Sequence, residues 1–242
     1  MTKRFPIVLE GLASDYPAGE VIEAHAHDAH QIVHALAGVM RVLADDGTWI
    51  VPPGRALWVP ARTRHEIRCI GLLRMRTVYL KGDHPSFPTA VQVTGVSALM
   101  REIMVRLAVG AEPRHLPHLA ALLVDEIAAL NIEPLHLPRA RDARIARLAS
   151  TLREDPADPT SLRGWAERLG LSPRTLIRRI KDETGMTFRE LRRQTRILAA
   201  LEYLSLGESV TNVALDVGFD SPSAFIQAFR SVTGKTPGRY MK

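Results

Sequence analysis

A short pattern occurs twice in the last third of the chain, and it strongly restricts the possible folds. Each copy has a serine that can cap a short helix, a turn at a glycine, and a serine–proline pair that can begin a second helix. The copies span about 161–185 and about 209–233. Two helices joined by a tight turn form a helix-turn-helix. The sequence therefore predicts an all-α C-terminal domain with two such pairs, joined by a linker helix at 187–204.

The second helix of each pair has an apolar side and a polar side. Leu176 and Ile180 in the first copy, and Phe225 and Phe229 in the second, are spaced to face a core. The outward residues are Arg174, Thr175, Arg178 and Lys181, and then Ser223, Ala224, Gln227 and Arg230. Arginine can donate two hydrogen bonds to guanine, glutamine can pair with adenine, and alanine can contact a thymine methyl group. The pattern predicts two helices that contact duplex DNA.

Positive charge is concentrated in the same part of the chain. Residues 139–242 hold 19 Lys/Arg and 12 Asp/Glu, whereas residues 1–138 hold 13 and 14. The linker helix contributes four arginines, some of which we expect near phosphates: Arg189, Arg192, Arg193 and Arg196. Such asymmetry favours a polyanionic partner, although a basic half could also serve solubility alone.

The first half of the chain has a different periodicity. From Val21 to about Leu80, short apolar runs such as Gln31–Leu36 and Gly38–Leu43 alternate with Gly and Pro, which predicts the short strands of a small barrel or sandwich. A helical period follows from Val96, with helices ending near Gly110 and Asn131, and their apolar stripes include Leu99 in the first helix and Leu122 in the second. The two prolines of segment 133–138 mark a domain boundary. We thus predict a barrel at 1–85, a helical segment at 86–135, and a helical domain at 140–242.

Cysteine content and hydropathy bear on the compartment. Cys69 is the single cysteine, so the chain cannot form an internal disulfide, and a reducing compartment is expected. Residues 1–12 lack the apolar core of a signal peptide, and no stretch approaches the roughly 18 apolar residues of a membrane span. The sequence predicts a cytoplasmic protein, associated with the bacterial nucleoid and not with a membrane.

Residues 140–242 resemble the DNA-binding domain of the AraC/XylS family of transcription regulators. The resemblance is carried by ALDVGFDSPSAFIQAFR at 214–230 and GKTPGRY at 234–240. It implies two helix-turn-helix units on one side of the duplex. It also implies base-facing roles for Arg174, Ile177 and Arg178, and for Ser223, Ala224 and Gln227. Ile177 is apolar where many relatives are polar.

Residues 19–80 resemble the two motifs of the cupin barrel. Gly19, His25, His27, Gln31 and Gly38 have the spacing of the first motif. The second motif is matched by Gly54, Pro60 and His65. Three residues depart from the family pattern: Gln31 replaces Glu, Arg62 replaces Gly, and Cys69 replaces Asn. The resemblance implies a cupin-like sensor barrel of the kind found in front of many AraC-type DNA-binding domains.

The histidines of these motifs could form a metal site. In a strand, His25 and His27 point to one face, and His65 from a neighbouring strand could add a third nitrogen. Gln31 could supply a weak fourth oxygen ligand. Such donors suit Zn²⁺, Ni²⁺ or Fe²⁺. Alternatively, the same side chains line an organic effector pocket, or are hydrogen-bonded remnants of a site.

The sequence thus predicts a multi-domain α+β protein: a cupin-like β-barrel with dimerisation helices, then an all-α double helix-turn-helix domain. We expect a sequence-specific transcription regulator that binds promoter DNA and a small-molecule effector. A homodimer through helices 96–109 and 114–130 is expected, and RNA polymerase is a partner if the protein activates. One alternative is a metal-dependent cupin enzyme with an accessory helical domain. Another is an architectural DNA-binding protein without a ligand.

Overall fold

The computed structural model describes residues 7–241; residues 1–6 and 242, at the ends of the predicted domains, lie outside the described residues. The chain divides into two compact units. The first contains the described residues up to Ala44 together with Trp49–Leu135, and the second contains Asp45–Thr48 together with the described residues from His136 onwards. Each unit is described by itself.

The first unit is built on antiparallel strands around two long ones, β3 (His30–Ala44) and β6 (His65–Lys81). The shorter strands are β1 (Val8–Tyr16), β2 (Val21–His25), β4 (Gly47–Val51, of which Trp49–Val51 belong to this unit), β5 (Arg55–Val59), β7 (Gln92–Gly95) and β8 (Ile132–Glu133). Strand β6 pairs with β1, β2 and β3, and the order continues from β3 through β5 and β7 to β8. The predicted β region began only at Val21, so β1 was missed.

Strand β3 is continuous where the apolar runs predicted two strands. Its register with β6 shifts twice, between Ala35 and Ala37 and between Ala37 and Val39. Gly38 has φ +73°, and a Cβ atom there would lie 2.6 Å from the carbonyl oxygen of Leu72. The glycine predicted to separate two strands is instead a bulge that bends one long strand.

Two helices cover one face of the sheet: α1 (Ala98–Val109) and, after a 3₁₀ turn at Pro113–His115, α2 (Leu116–Ala128). Ile32, Trp58, Val78 and Leu80 pack there against buried residues of both helices, which are Met100, Ile103, Met104, Leu107, Leu123 and Ile127. The prediction of the helices was right, but part of the apolar stripe was wrong. Leu99 is 47% exposed because Met100 and Met104 occupy core positions of α1, and Leu122 is 41% exposed because its neighbour Leu123 takes the core position of α2.

The second unit contains a short strand, β9 (His136–Pro138), and seven helices within the described residues. These are α3 (Ala143–Glu154), α4 (Leu162–Arg168), α5 (Pro173–Thr184), α6 (Phe188–Ser205), α7 (Val210–Asp216), α8 (Pro222–Thr233) and α9 (Pro237–Tyr240). Helices α4–α5 and α7–α8 form the two helix-turn-helix pairs, and α6 joins them. None of the described helices is long and apolar enough to span a bilayer.

Hydrogen-bonded caps define where the helices of both pairs begin. The hydroxyls of Ser161, Ser172, Ser209 and Ser221 each accept a bond from a backbone N–H two or three residues further on. Such a bond satisfies one of the donors left free in the first turn of a helix. The serines recognised in the sequence therefore set the four helix starts. These starts determine which residues of α5 and α8 face outwards.

Candidate DNA interface and candidate metal centre

Helix α5 presents a basic surface above a closed core. Leu176 and Ile180 are fully buried, whereas Arg174, Ile177, Arg178 and Lys181 are exposed. Lys181 donates from Nζ to the carbonyl oxygen of Gly185 at 2.6 Å, so its ammonium lies at the carboxyl end of the helix. Arg174 and Arg178 donate no hydrogen bond to a described residue, and both can reach a ligand.

Thr175 differs from the other predicted DNA-contacting residues of α5. Its side chain is half-buried, and its hydroxyl lies 2.8 Å from the hydroxyl of Ser172, with which it shares a hydrogen bond. Its backbone N–H also donates to Ser172 Oγ, at 3.1 Å. Thr175 therefore belongs to the cap of α5, in addition to lying at the edge of its outer surface.

Helix α8 has the same arrangement with an aromatic core. The rings of Phe225 and Phe229 are fully buried and meet edge to face, with centroids 5.6 Å apart. Phe219, from the turn before α8, lies 5.4 Å from Phe225. On the opposite side four predicted DNA-contacting residues are exposed: Ser223, Ala224, Gln227 and Arg230.

A basic cleft of about 500 Å³ lies between α6 and α8. It is lined by the four arginines of α6 together with Phe219, Ala224, Gln227, Ala228 and Ser231. Arg196 donates from Nε to the carbonyl oxygen of Pro156 at 3.0 Å, and Arg192 donates to that of Thr160. Arg189 and Arg193 donate to no described residue. The sequence analysis did not distinguish the four arginines. In the structure, Arg192 and Arg196 donate hydrogen bonds to backbone carbonyls, whereas the other two donate none to the described residues.

Three histidines of the first unit converge at one point. One nitrogen atom from each of His25, His27 and His65 lies within 4.8 Å of one from each of the others. His25 ends β2 and His65 begins β6, where the two strands pair directly, and His27 follows in the next loop. The structure thus brings together the three histidines that the sequence proposed as ligands.

Backbone carbonyl groups determine which nitrogen of each ring carries a proton. Nδ1 of His25 lies 2.8 Å from the carbonyl oxygen of Glu23, Nδ1 of His27 lies 2.6 Å from that of Ala29, and Nδ1 of His65 lies 2.9 Å from that of Thr63. A carbonyl oxygen only accepts, so each Nδ1 carries the proton. In a neutral ring, this tautomer leaves the lone pair on Nε2, the atom through which the histidine can bind a metal ion.

His65 has the most unusual environment of the three. Its Nε2 atom is buried and has no hydrogen-bond partner among the described residues. Burial, with smaller effects from His25 and His27, lowers the pKa of His65 to about 4. The ring is therefore neutral at physiological pH, and its lone pair is unused.

Gln31 and Tyr79 lie beside the histidines. The side-chain oxygen Oε1 of the buried Gln31 lies 3.0 Å from His27 Nε2, and its amide nitrogen donates to the hydroxyl of Tyr79 at 3.4 Å. The Gln31 oxygen therefore faces the histidine cluster. Tyr79 also meets the His27 ring edge to face, at 5.0 Å. Sequence reasoning missed Tyr79; its signal was its position opposite Gln31 in the register of β3 and β6.

Arg62 occupies the position where the cupin motif has glycine, and its backbone conformation shows why glycine is usual there. It has φ +63° and is the one non-glycine residue with positive φ in the described part of the chain. Glycine adopts this conformation without a steric cost, which accounts for glycine in the family pattern. The Arg62 N–H donates to the carbonyl oxygen of His27 at 2.8 Å, and its side chain pairs with Asp28. The arginine thus retains the strained turn that holds the loop of His27.

Together, these features define the class of protein. Two helix-turn-helix pairs present basic and polar side chains outwards, and a separate β-rich domain holds an internal cluster of polar side chains. This combination is that of a ligand-responsive DNA-binding regulator of transcription.

Comparison with known proteins gives the family. Residues 6–124 match the model described as "AraC-like ligand binding domain", and residues 165–242 match a "Helix-turn-helix domain". The HTH-type transcriptional regulator NimR of Escherichia coli K12 is 32% identical over 222 residues, covering 90% of this chain and 81% of NimR. The chain belongs to the AraC family of transcriptional regulators.

Other relatives match at different lengths. The HTH-type transcriptional regulator RipA of Corynebacterium glutamicum is 38% identical over 124 residues, covering 51% of this chain and 35% of RipA. The HTH-type transcriptional activator RhaR of Pectobacterium atrosepticum is 27% identical over 236 residues, covering 92% of this chain and 74% of RhaR. The predicted family, fold class and regulatory function are confirmed. The protein binds DNA and responds to a small-molecule effector.

Proposed function

We propose that α5 and α8 read DNA directly, in two successive segments of the major groove. The supporting observation is the shared design of the two helices, in which a fully buried apolar pair fixes the helix and an exposed set faces away from the core. Arg174 and Arg178 would contact bases or phosphates from α5, and Ser223, Ala224 and Gln227 would do so from α8. Ile177 would offer only apolar contact, while Lys181 and Arg230 would lie near the backbone.

In vitro selection from random duplexes tests this proposal. We expect a bipartite consensus whose two boxes are centred about one helical turn, roughly 34–36 Å, apart. Footprinting on a promoter that contains the consensus should then protect one discrete region. Recovery of no consensus, with uniform protection along the DNA, would instead support the architectural alternative.

Arg178→Ala should lower the affinity for the selected site and relax one base position. The lost contact to guanine corresponds to about 1–3 kcal/mol of binding free energy. Gel-shift titrations on the selected site and on a scrambled site give the specificity ratio. Arg147→Ala, at an exposed arginine of α3, is the matched control and should leave the ratio unchanged. An unchanged ratio for Arg178→Ala would refute the assigned contact.

Replacing both Arg189 and Arg193 by glutamine should reduce the salt dependence of binding. If each contacts a phosphate, the slope of log K against log salt concentration becomes shallower by about two units. The double substitution of Arg101 and Arg106, exposed on α1, removes the same charge elsewhere and serves as a control. Equal slopes for the two double variants would show that the cleft does not hold the DNA backbone.

We propose that the effector site contains a divalent metal ion held by His25, His27 and His65. The proposal is supported by the convergence of three imidazoles with nitrogen atoms within 4.8 Å of one another, and by the buried Nε2 of His65, which has no hydrogen-bond partner among the described residues. Three nitrogen donors suit Zn²⁺, Ni²⁺ or Fe²⁺. When bound, such an ion supplies an open coordination position for a donor atom of the effector. Gln31, whose Oε1 already faces His27, would supply a weak fourth oxygen ligand.

The enzyme alternative is decided by turnover. The same histidines could hold a catalytic metal, but the relatives named above are transcriptional regulators. We infer that the cluster serves sensing. Oxygen consumption by the iron-loaded protein would reverse this inference, whereas metal-dependent DNA binding without oxygen consumption would support it.

We further propose a homodimer formed through the segment that contains α1 and α2. The exposed side of α2 includes the apolar Ala121, Leu122 and Ala128, beside the polar His118 and Asp125. Leu122→Glu should convert the sedimenting species from twice the chain mass of 26.8 kDa to that mass itself. A wild-type monomer would contradict the proposal.

RNA polymerase is a partner if the protein activates, and the DNA target would place the protein at the nucleoid.

A further inference from the structure

A short loop before the first helix-turn-helix pair is in contact with both pairs. We call the segment Asp155–Thr160 the tie loop. The carboxylate of Asp158, a residue only 7% exposed, accepts from the N–H of Thr160 at 2.5 Å. It also lies 3.7 Å from Arg168 of α4 and 4.0 Å from Arg192 of α6. The tie loop is therefore joined to the first pair and to the linker helix.

Arg196 joins the same loop to the second pair. Its Nε donates to the carbonyl oxygen of Pro156 at 3.0 Å, and its guanidinium lies 5.5 Å from the centre of the Phe219 ring. Gly218, in the turn of the second pair, has φ +84°, and a Cβ atom there would lie 2.7 Å from Ala157 Cα and 2.8 Å from an Arg196 nitrogen. The turn of the second pair thus packs directly on the tie loop and on Arg196.

We propose that Arg196 is a positioning residue that fixes the separation of α5 and α8. Without the Arg196 side chain, the tie loop and the Gly218 turn lose a group that contacts both of them. The two helix-turn-helix pairs can then change their orientation relative to each other about α6. Where the protein binds two boxes of DNA, a step that depends on the function proposed above, this rigidity makes the spacing between the boxes a determinant of specificity. Arg196 would control that spacing without touching a base.

The role needs the geometry of arginine. The planar guanidinium lies over the Phe219 ring while its Nε donates to a carbonyl, and a lysine ammonium, which is compact and not planar, does not reproduce this geometry. Arg196→Lys is therefore expected to keep the charge and lose most of the positioning. Arg189→Gln is the matched control, because Arg189 lies on the same helix and donates to no described residue.

Distance measurement by double electron–electron resonance tests the proposal without DNA. Spin labels go on Asp182→Cys in α5 and Ser231→Cys in α8, both exposed positions. The native Cys69 is buried and the pKa of its thiol is raised to about 11, so it reacts slowly with the label. Labelled chains are diluted in an excess of unlabelled chain, so that a homodimer carries at most one labelled copy. We then expect one narrow distance peak for the otherwise unchanged chain and for Arg189→Gln. With Arg196→Gln or Arg196→Lys, that peak should broaden or split.

A second variant covers the case in which Arg196→Gln does not fold. Gly218→Ala keeps Arg196 but forces the turn away from the tie loop, so its peak should shift. Peaks for Arg196→Lys and Gly218→Ala that match the unchanged chain in position and width would overturn the proposal.

Binding to selected DNA provides the functional measurement. One inserted base pair moves the boxes apart by about 3.4 Å and rotates one relative to the other by about 34°. We expect the wild type to lose about tenfold or more in affinity, and Arg196→Lys to lose less than about threefold from its own value. Equal losses would contradict the positioning role. If no bipartite site is selected, the DNA-reading proposal fails, while the distance measurement still decides the role of Arg196.

Discussion

Phe225→Ala is expected to destabilise the whole DNA-binding domain and thereby to weaken specific DNA binding strongly. The ring is fully buried and contacts both Phe219 and Phe229, and a phenylalanine removed from such a core costs about 3–5 kcal/mol. A typical domain is stable by only about 5–15 kcal/mol, so a domain at the lower end of that range would lose most of its stability. Denaturant unfolding followed by circular dichroism measures the loss.

A control on the same helix separates stability from recognition. Gln227→Ala removes an exposed side chain, so the free energy of unfolding should change by no more than about 0.5 kcal/mol. The affinity for the selected site should nevertheless fall. If Phe225→Ala left the unfolding midpoint where it is in the wild type, the arrangement of this core would be wrong.

His27→Ala is expected to abolish metal binding by the first unit. With two histidines left of three, the affinity for Zn²⁺ or Ni²⁺ should fall by more than about a hundredfold, since even the loss of an outer hydrogen-bonding partner costs 10–100-fold. In the wild type, free metal at about 100 times its Kd should stabilise the folded state by roughly 2.7 kcal/mol. Thermal unfolding with and without metal, and titration calorimetry, measure the two effects.

His118→Ala is the matched control for the metal experiment. His118 is an exposed histidine of α2 and lies outside the cluster. Its replacement should leave both the calorimetric stoichiometry and the thermal shift as in the wild type. Wild-type protein that takes up no Zn²⁺, Ni²⁺ or Fe²⁺ would leave the cluster as part of a metal-free effector pocket.

The helical half of the fold was readable from sequence because its signals are local. A serine cap, a glycine turn and an apolar pair lie within a dozen residues of one another, and each has one dominant conformational meaning. The sequence did not determine which face of α1 is buried. Leu99 and Met100 are adjacent and both apolar, so only the packing against the sheet decides that Met100 is buried and Leu99 exposed.

The β-rich half depends on contacts that are distant in sequence. The joining of two apolar runs into β3 requires knowledge of the Leu72 carbonyl beside Gly38, 34 residues away. The histidine ligands were found because motif spacing places them, whereas Tyr79 was missed because its partnership with Gln31 follows from strand register. Of the four arginines of α6, only Arg192 and Arg196 donate hydrogen bonds to the tie loop among the described residues, and the acceptors are backbone carbonyl groups. No local sequence pattern indicates these contacts.

Helix α6 has a further consequence for how the DNA-binding domain fails. Leu191, near its start, belongs to the core of the first pair, and the same uninterrupted helix goes on to contact α7 and α8. Because α6 packs in both cores, unfolding of either core would remove a packing surface of the other. The domain should therefore denature in a single cooperative transition, and a degradation product that retains one folded half should not accumulate.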